Sequence, residues 1–358
     1  MHINYQPQLD FCDVLLDAGA SRLKSRKDVD IEREFKFYYS SRIWKGVPIM
    51  AANMDTTGTF EMAKTLSKHK MITVLHKHYS LDELTEFFET FKEPDFISYS
   101  MGINPKDFIK FKQILDRGLG DKFNLICLDV PNAYLEHVVD KFARIRKLCP
   151  DHIIMAGNVI SEAQTSKLIE KSYADIVKVG IGSGSACTTR RQTGVGKPQF
   201  SAVVECANAA HHLDVASKRY GLIISDGGIV DIGDISKAYA GGADFVMMGS
   251  KFAGFKQSGG KTIEIEGKLY KEFYGMSSEK AMNKHSGGMA KHRSSEGREL
   301  LIPFKGDVED FIQEIKGGIR STGTYIGAKS LKEFNKRANI GVVYRTLNRS
   351  LEQYDTKN

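Results

Sequence analysis

Short apolar runs of strand length alternate with amphipathic stretches of helical length along most of the chain. The apolar runs fall at residues 47–55, 72–76, 96–101, 125–130, 152–155, 176–179, 222–228 and 245–250. Between them, a helix opens at Ser80 with Glu83 three residues on, the spacing of a capping box. A second, 106–117, carries Phe108, Ile109, Phe111, Ile114 and Leu115 roughly on one face. Further helices end near Pro150, start at a cap on Ser161, span 200–212, and end at Gly241-Gly242. Strands alternating with helices predict a parallel sheet. Strands that are apolar almost throughout predict a sheet covered on both faces. Eight such units in roughly two hundred residues predict the α/β class and a (β/α)8 TIM barrel.

The flanks break this rhythm. Residues 1–46 read as a lead-in, with a basic turn over 21–27 that is either a solvated loop or an anion contact. Residues 254–306 are rich in Gly, Ser, Lys and Glu, with a hairpin around 263–270. That stretch is too long for an ordinary connection and reads as a flap or lid inserted after the eighth strand. A helix over 307–316 follows, then a second glycine-rich loop over 317–325, a closing helix over 330–337 and a polar tail over 340–358. The expectation is a single catalytic domain spanning 1–358.

Composition changes this picture little. An apolar fraction of 41% suits a large core, and a net charge of +7 suits a phosphorylated ligand or merely a solvated basic surface. No nucleic-acid signature accompanies the charge, so no nucleic-acid partner is expected. The five cysteines include no CxxC pair, which argues against a zinc site or a disulfide framework and for a reducing compartment. No hydrophobic leader and no apolar run of spanning length is present, so a cytoplasmic protein without membrane contact is expected.

The polar and glycine clusters follow strands, where barrel enzymes keep their active sites. These clusters are residues 53–55, His76-Lys77-His78, Asp129, Gly157-Asn158, Asp226-Gly227-Gly228, Gly249-Ser250 and a loop after residues 176–179. That loop carries three glycines in five positions, Gly180, Gly182 and Gly184, and then Cys187. A lone cysteine is more often a small buried hydrophobe. On a glycine loop between threonines and arginines it reads instead as an exposed nucleophile whose thiolate the arginines would favour. Glycine turns at the ends of neighbouring strands present backbone N–H groups to phosphate. Asp226 either accepts from ribose hydroxyls or only forms a turn. Glu296, in the flap, is a solvated acid or a proton carrier brought in on closure. His76 and His78 lack a third ligand and read as non-metal.

The run Gly180-Ile181-Gly182-Ser183-Gly184-Ser185-Ala186-Cys187-Thr188-Thr189-Arg190, followed by Thr193-Gly194-Val195-Gly196, resembles the signature of the IMP dehydrogenase/GMP reductase family. The stretches 51–56, 74–79, 274–279, 293–297, 303–308 and 317–322 resemble its reductase branch, and no regulatory domain interrupts the barrel after its second strand. The resemblance implies an NADPH-dependent conversion of GMP to IMP with release of ammonia. Cys187 would add to purine C2 and form a covalent thioimidate, while Thr189 coupled to Glu296 would relay the proton to the leaving amine. It implies substrate contacts at Asp226, Gly227, Gly228, Gly249, Ser250, Gly275, Met276, Ser277, Arg293, Ser294, Ser295, Glu296 and Gly297. It implies cofactor contacts at Ser25, Arg26, Lys77, Asp129, Val130, Pro131, Ile181, Gly182, Met276, His292, Arg293, Ser321, Thr322, Gly323 and Thr324. It further implies a K⁺ site at Gly182, Gly184, Cys187 and Arg190, and a homotetramer. Four positions depart from the family pattern. Ser183 replaces a proline, which would loosen the cysteine loop, and Pro131, His292 and Gly323 differ near the expected cofactor site. Two rival readings are an NAD-dependent IMP dehydrogenase making XMP, whose Arg-Tyr flap pair has no counterpart here, and a non-catalytic purine-nucleotide or RNA-binding protein.

Overall fold

Side chains along a strand point alternately to its two faces, and this alternation sorts each apolar run into an inner and an outer set. In the computed structural model, which describes residues 3–212, 221–288 and 294–343, eight strands close into a parallel barrel. The chain enters through β1 (Val14–Asp17) and an antiparallel hairpin of β2 (Arg33–Lys36) and β3 (Ile43–Gly46). The units β4 (Ile49–Ala51), α1 (Phe60–Leu66), β5 (Ile72–Leu75), α2 (Leu81–Thr90), β6 (Ile97–Met101) and α3 (Pro105–Asp116) follow. Next come β7 (Leu125–Asp129), α4 (Glu136–Leu148), β8 (Ile153–Val159), α5 (Glu162–Ser172) and β9 (Ile176–Val179). The short α6 (Thr189–Thr193), α7 (Gln199–His212), β10 (Leu222–Asp226), α8 (Ile232–Ala240) and β11 (Phe245–Met248) complete the series. β11 pairs back onto β4, with Val246 opposite Ile49, and this closes the ring.

The inserted flap holds β12 (Thr262–Ile265), β13 (Lys268–Tyr274), α9 (Glu279–Ser286) and β14 (Glu299–Pro303), its strands forming one antiparallel sheet. The hairpin expected around 263–270 is present, turning on Glu266 and Gly267, both with positive φ. Its pairing with β14 was not readable locally, because the partner lies beyond α9. α10 (Glu309–Ile326), α11 (Phe334–Arg337) and β15 (Asn339–Val342) close the described chain.

Three expectations need correction. The glycine-rich stretch 317–325 is no loop but the second half of α10. Its glycines cost helix propensity yet permit contact: a Cβ on Gly318 would meet Ile232 at 2.3 Å, and one on Gly323 would meet Val29 at 2.7 Å. The tail is not wholly free, since Asn339–Val342 pairs antiparallel with β1; residues 344–358 lie outside the described residues. Ser161 occupies the N-cap of α5, but its hydroxyl meets that of Tyr134 at 2.8 Å, and Glu205 of α7 accepts from the Glu162 amide instead. The capping box of Ser80 and Glu83 forms as read.

The lead-in proves to be a plug. Met50, Ile72, Val74, Leu125, Met155, Ile176, Ile224 and Met247 fill the barrel, while their neighbours face the helices. Phe35, Phe37 and Trp44 of the β2–β3 hairpin pack into the end where the strands begin. The Trp44 ring lies 5.2 Å from that of Phe245, and its Nε1–H donates to the Asp95 carbonyl at 2.7 Å. Trp44→Ala should cost about 3–5 kcal/mol of folding stability, read as a lowered denaturant midpoint. An unchanged midpoint would show that the hairpin is ornamental.

Candidate active site

At the opposite end of the barrel the inner face turns from apolar to charged. One alternation step beyond the apolar layer, Cys127, Ile176 and Ile224 give way to Asp129, Lys178 and Asp226. Lys178 is buried; its ammonium donates to Asp129 at 2.5 Å and lies 3.4 Å from Asp226. Gly157 of β8 stands between β7 and β9, and any Cβ there would fall 2.5 Å from the Cβ of Lys178. A glycine at this position lets the lysine reach across the strand. Asn158 donates to the same Asp226 oxygen, Oδ2, at 2.8 Å and to the Gly180 carbonyl at 2.8 Å. Burial alone would push the Asp129 carboxyl up, but the charge and hydrogen bond of Lys178 outweigh it and hold it below its ordinary value. Burial pulls the other way on Lys178, and Asp129 outweighs it, so the lysine is raised.

These groups line one cavity of about 1140 Å³. It is walled by Val130, Pro131, the turns Gly227-Gly228 and Gly249-Ser250, the cysteine loop, and flap residues Gly275, Met276, Ser277, Ser294 and Glu296. The amides of Gly227 and Gly228 donate to Met247 and Ser183, so these two N–H groups serve the fold and not an anion. Gly249 and Ser250 line the cavity where a short 3-10 helix opens. Ser183 does not loosen the cysteine loop. Its hydroxyl donates to the Asp226 carbonyl at 2.7 Å and stitches the loop to β10.

Cys187 is partly exposed in this cavity. Its Sγ lies 3.1 Å from the Thr189 hydroxyl, which in turn donates to Glu296 Oε2 at 2.5 Å. Glu296 reaches this place because the flap pairs with the cysteine loop: Cys187 and Gly297 form an antiparallel bridge. The Thr188 amide donates to the Glu296 carbonyl at 2.7 Å, and the Arg298 amide donates to the Ala186 carbonyl at 2.8 Å. The expected support of the thiolate by arginine is not present at Arg190. Its guanidinium turns away to Asp10, at 3.1 Å, and to the Lys197 carbonyl. Cys127, Cys149 and Cys206 are buried, and burial pushes their thiols up to about 12, about 11 and about 12. They are inert beside Cys187.

Several other expected positions are not brought into the cavity. Ser25 caps a short exposed 3-10 helix, Arg26–Asp28, and Ser321, Thr322, Gly323 and Thr324 sit within α10. Lys77 lies 3.7 Å from Asp107 and close enough to act on the charge of Asp129. Ser295 and Gly297 do not line the cavity: the Ser295 hydroxyl donates to the Gly297 carbonyl at 3.2 Å, and Gly297 bridges to Cys187. Ile181, Gly182 and Gly184 line the cavity, and Arg190 packs on Gly182. His292 and Arg293 lie outside the described residues. Lys178 was passed over in the sequence, while Asn158 was noted only as part of a polar cluster and Ser183 only as a departure from the family pattern. Lys178 had a signal, being a single charge inside an otherwise apolar strand.

Comparison with known proteins agrees with this geometry. The family model described as the IMP dehydrogenase / GMP reductase domain matches residues 8–350. A human protein named GMP reductase 2 is 52% identical over 350 residues, covering 97% of each chain. A GMP reductase of Onchocerca volvulus is 50% identical over 358 residues, covering 99% of this chain and 95% of its own. A GMP reductase of Shewanella pealeana is 50% identical over 339 residues, covering 94% and 95%.

The Lys178 bridge makes a pH prediction. Because the Asp129 carboxyl is lowered on folding, it contributes stability above its unfolded value near ~4, lost as pH falls through the folded one. Lys178→Met should destabilise the protein at pH 7 by about 3 kcal/mol, the low end for a buried pair because water reaches Asp129. The gap between the two proteins should narrow below about pH 4 as the carboxylates protonate. Denaturant midpoints at pH 7 and pH 3 check this; a gap equal at both would refute it.

Proposed function

The chain belongs to the IMP dehydrogenase / GMP reductase family, and from that premise we propose that it reductively deaminates GMP to IMP with release of ammonia. The observation that carries this reading is the unbroken line from Cys187 through Thr189 to Glu296 at the mouth of the barrel. In this reading Cys187 Sγ adds to C2 of the purine, which becomes tetrahedral. Glu296 and Thr189 hold the proton that passes to the 2-amino group, so that ammonia departs and a thioimidate on Cys187 remains. After C2 has received a hydride, departure of the Cys187 thiolate completes IMP. Asp226, held by Asn158 and Lys178, keeps its carboxylate oriented for ribose hydroxyls. Gly249 and Ser250 take the phosphate, with Gly227 and Gly228 shaping the turn beside them. Gly275, Met276, Ser277 and Ser294 to Gly297 hold the base, together with Arg293.

Membership also carries a nicotinamide cofactor, here proposed to be NADPH, which when bound supplies the hydride that C2 receives. The cavity supports the fit: its volume exceeds the usual range for one small ligand, and Asp129 stands in it with its carboxylate already fixed. Asp129, Val130, Pro131, Ile181, Gly182 and Met276 would hold the reacting end. Lys77, His292, Ser25, Arg26 and 321–324 are proposed for the remainder. K⁺ is proposed at the carbonyls of Gly182, Gly184, Cys187 and Arg190, neutral oxygens of the kind a large cation accepts. The same reading includes one catalytic domain, a homotetramer and a cytoplasmic location. Among the described residues, no helix is long and apolar enough to cross a membrane.

Mixing the protein with GMP and NADPH should consume NADPH and release ammonia. Cys187→Ala should abolish turnover while GMP binding persists, and Glu296→Gln should slow turnover about 10²- to 10⁴-fold. No NADPH loss, together with NADH formed from IMP and NAD⁺, would overturn the reading in favour of the dehydrogenase.

A further inference from the structure

Asp55 follows β4 at the barrel mouth, and its side chain is only 2% exposed. Three flap donors converge on its Oδ2: the Tyr274 hydroxyl at 2.7 Å, Lys284 Nζ at 2.9 Å and His285 Nε2 at 2.7 Å. The Lys284 ammonium also lies 3.1 Å from the Tyr274 hydroxyl. Oδ1 is buried and has no protein donor among the described residues. Around this point the barrel meets the flap through rings. His78 stacks on His285 at 3.6 Å, and His76 stacks on Tyr79 at 3.9 Å. Burial holds both barrel histidines neutral, pulling His76 down to about 3 and His78 to about 4, so neither competes with Lys284 for the carboxylate. Nothing in the chemistry at Cys187 uses this cluster.

The connection onward is short. Tyr274 ends β13, and Gly275 is the next residue. The Gly275 amide donates to the Arg298 carbonyl at 3.0 Å, and the Glu296 amide donates to the Ser277 carbonyl at 3.3 Å. There is no slack at the joint: a Cβ on Gly275 would fall 2.6 Å from the Ala186 oxygen and 3.0 Å from Gly297 Cα. One carboxylate of the barrel therefore fixes the end of β13, and β13 fixes the strand that carries Glu296 to Thr189.

We infer that Asp55 is a positioning residue for the deamination half of the reaction, setting Glu296 through Tyr274 and Gly275. The inference rests on the roles of Cys187, Thr189 and Glu296 proposed above. A carboxylate suits the task because three donors, two of them able to carry charge, share one oxygen. Asparagine keeps the shape and loses the charge.

The test uses Asp55→Asn and, should that variant fold poorly, Tyr274→Phe, which removes a single donor. GMP-dependent NADPH consumption should fall about a hundredfold in Asp55→Asn, the scale of loss from misplacing a catalytic group by roughly an ångström. The single burst of NADPH formed from IMP and NADP⁺ should be largely retained, since no amine is protonated in that direction. Amide hydrogen exchange at Gly275 and Glu296 should quicken in both variants. Equal losses of turnover and burst would overturn the inference, because Asp55 would then serve the fold as a whole. Unchanged turnover with unchanged exchange would overturn it as well. A wild-type protein inactive on GMP sinks the proposed function instead, and the exchange measurement still decides whether Asp55 holds the joint.

Discussion

The site depends on one antiparallel contact, in which the flap strand around Gly297 lies against the loop around Cys187. Thr189 and Glu296 are 107 positions apart in the chain, yet their side chains are within hydrogen-bond reach. Backbone hydrogen bonds on either side of the bridge set that distance. Each is worth only about 1 kcal/mol net, so the contact depends on several of them acting together. In the proposed chemistry the barrel supplies the thiol and the flap supplies the acid, and this contact brings the two together.

A second constraint lies beneath the first. Charged groups at the barrel mouth must be paired before they are useful, because an isolated buried charge is costly. Lys178 meets this need for Asp129 and Asp226 together, and Gly157 leaves the room for it. The two carboxylates belong to the proposed cofactor and substrate regions, so a single ammonium orients both. Asn158 and Ser183 then brace the Asp226 side chain and backbone. The cysteine loop is stitched at one end by Ser183 and at the other by Arg190 on Asp10.

Much of this was legible before any coordinates. The eight apolar runs, the capping box at Ser80 and the glycine turns after strands are local signals, and the barrel follows from their order. Boundaries moved where neighbours decided them. β8 runs on to Val159 because β7 and β9 continue beside it. The stretch 317–325 looked like a loop because it is rich in glycine, but Gly318 and Gly323 face Ile232 and Val29, and helix packing outweighs propensity there. Likewise, the lead-in carried too weak a pattern to show that Phe35, Phe37 and Trp44 plug the barrel.

By itself the sequence determined the strand–helix rhythm, the cysteine loop and the residue types around it, because each depends on spacing within a few positions. The meeting of Glu296 with Thr189 was implied by the resemblance and is seen in the fold; only the tertiary structure decided the others, Lys178 with two carboxylates, and Asp55 with Tyr274, Lys284 and His285. It also decided that Arg190 turns to Asp10 and away from the thiol. The reason is physical. A hydrogen bond or an ion pair acts over about 3–4 Å in space, and distance along the chain carries no information about it until the barrel closes and the flap folds down.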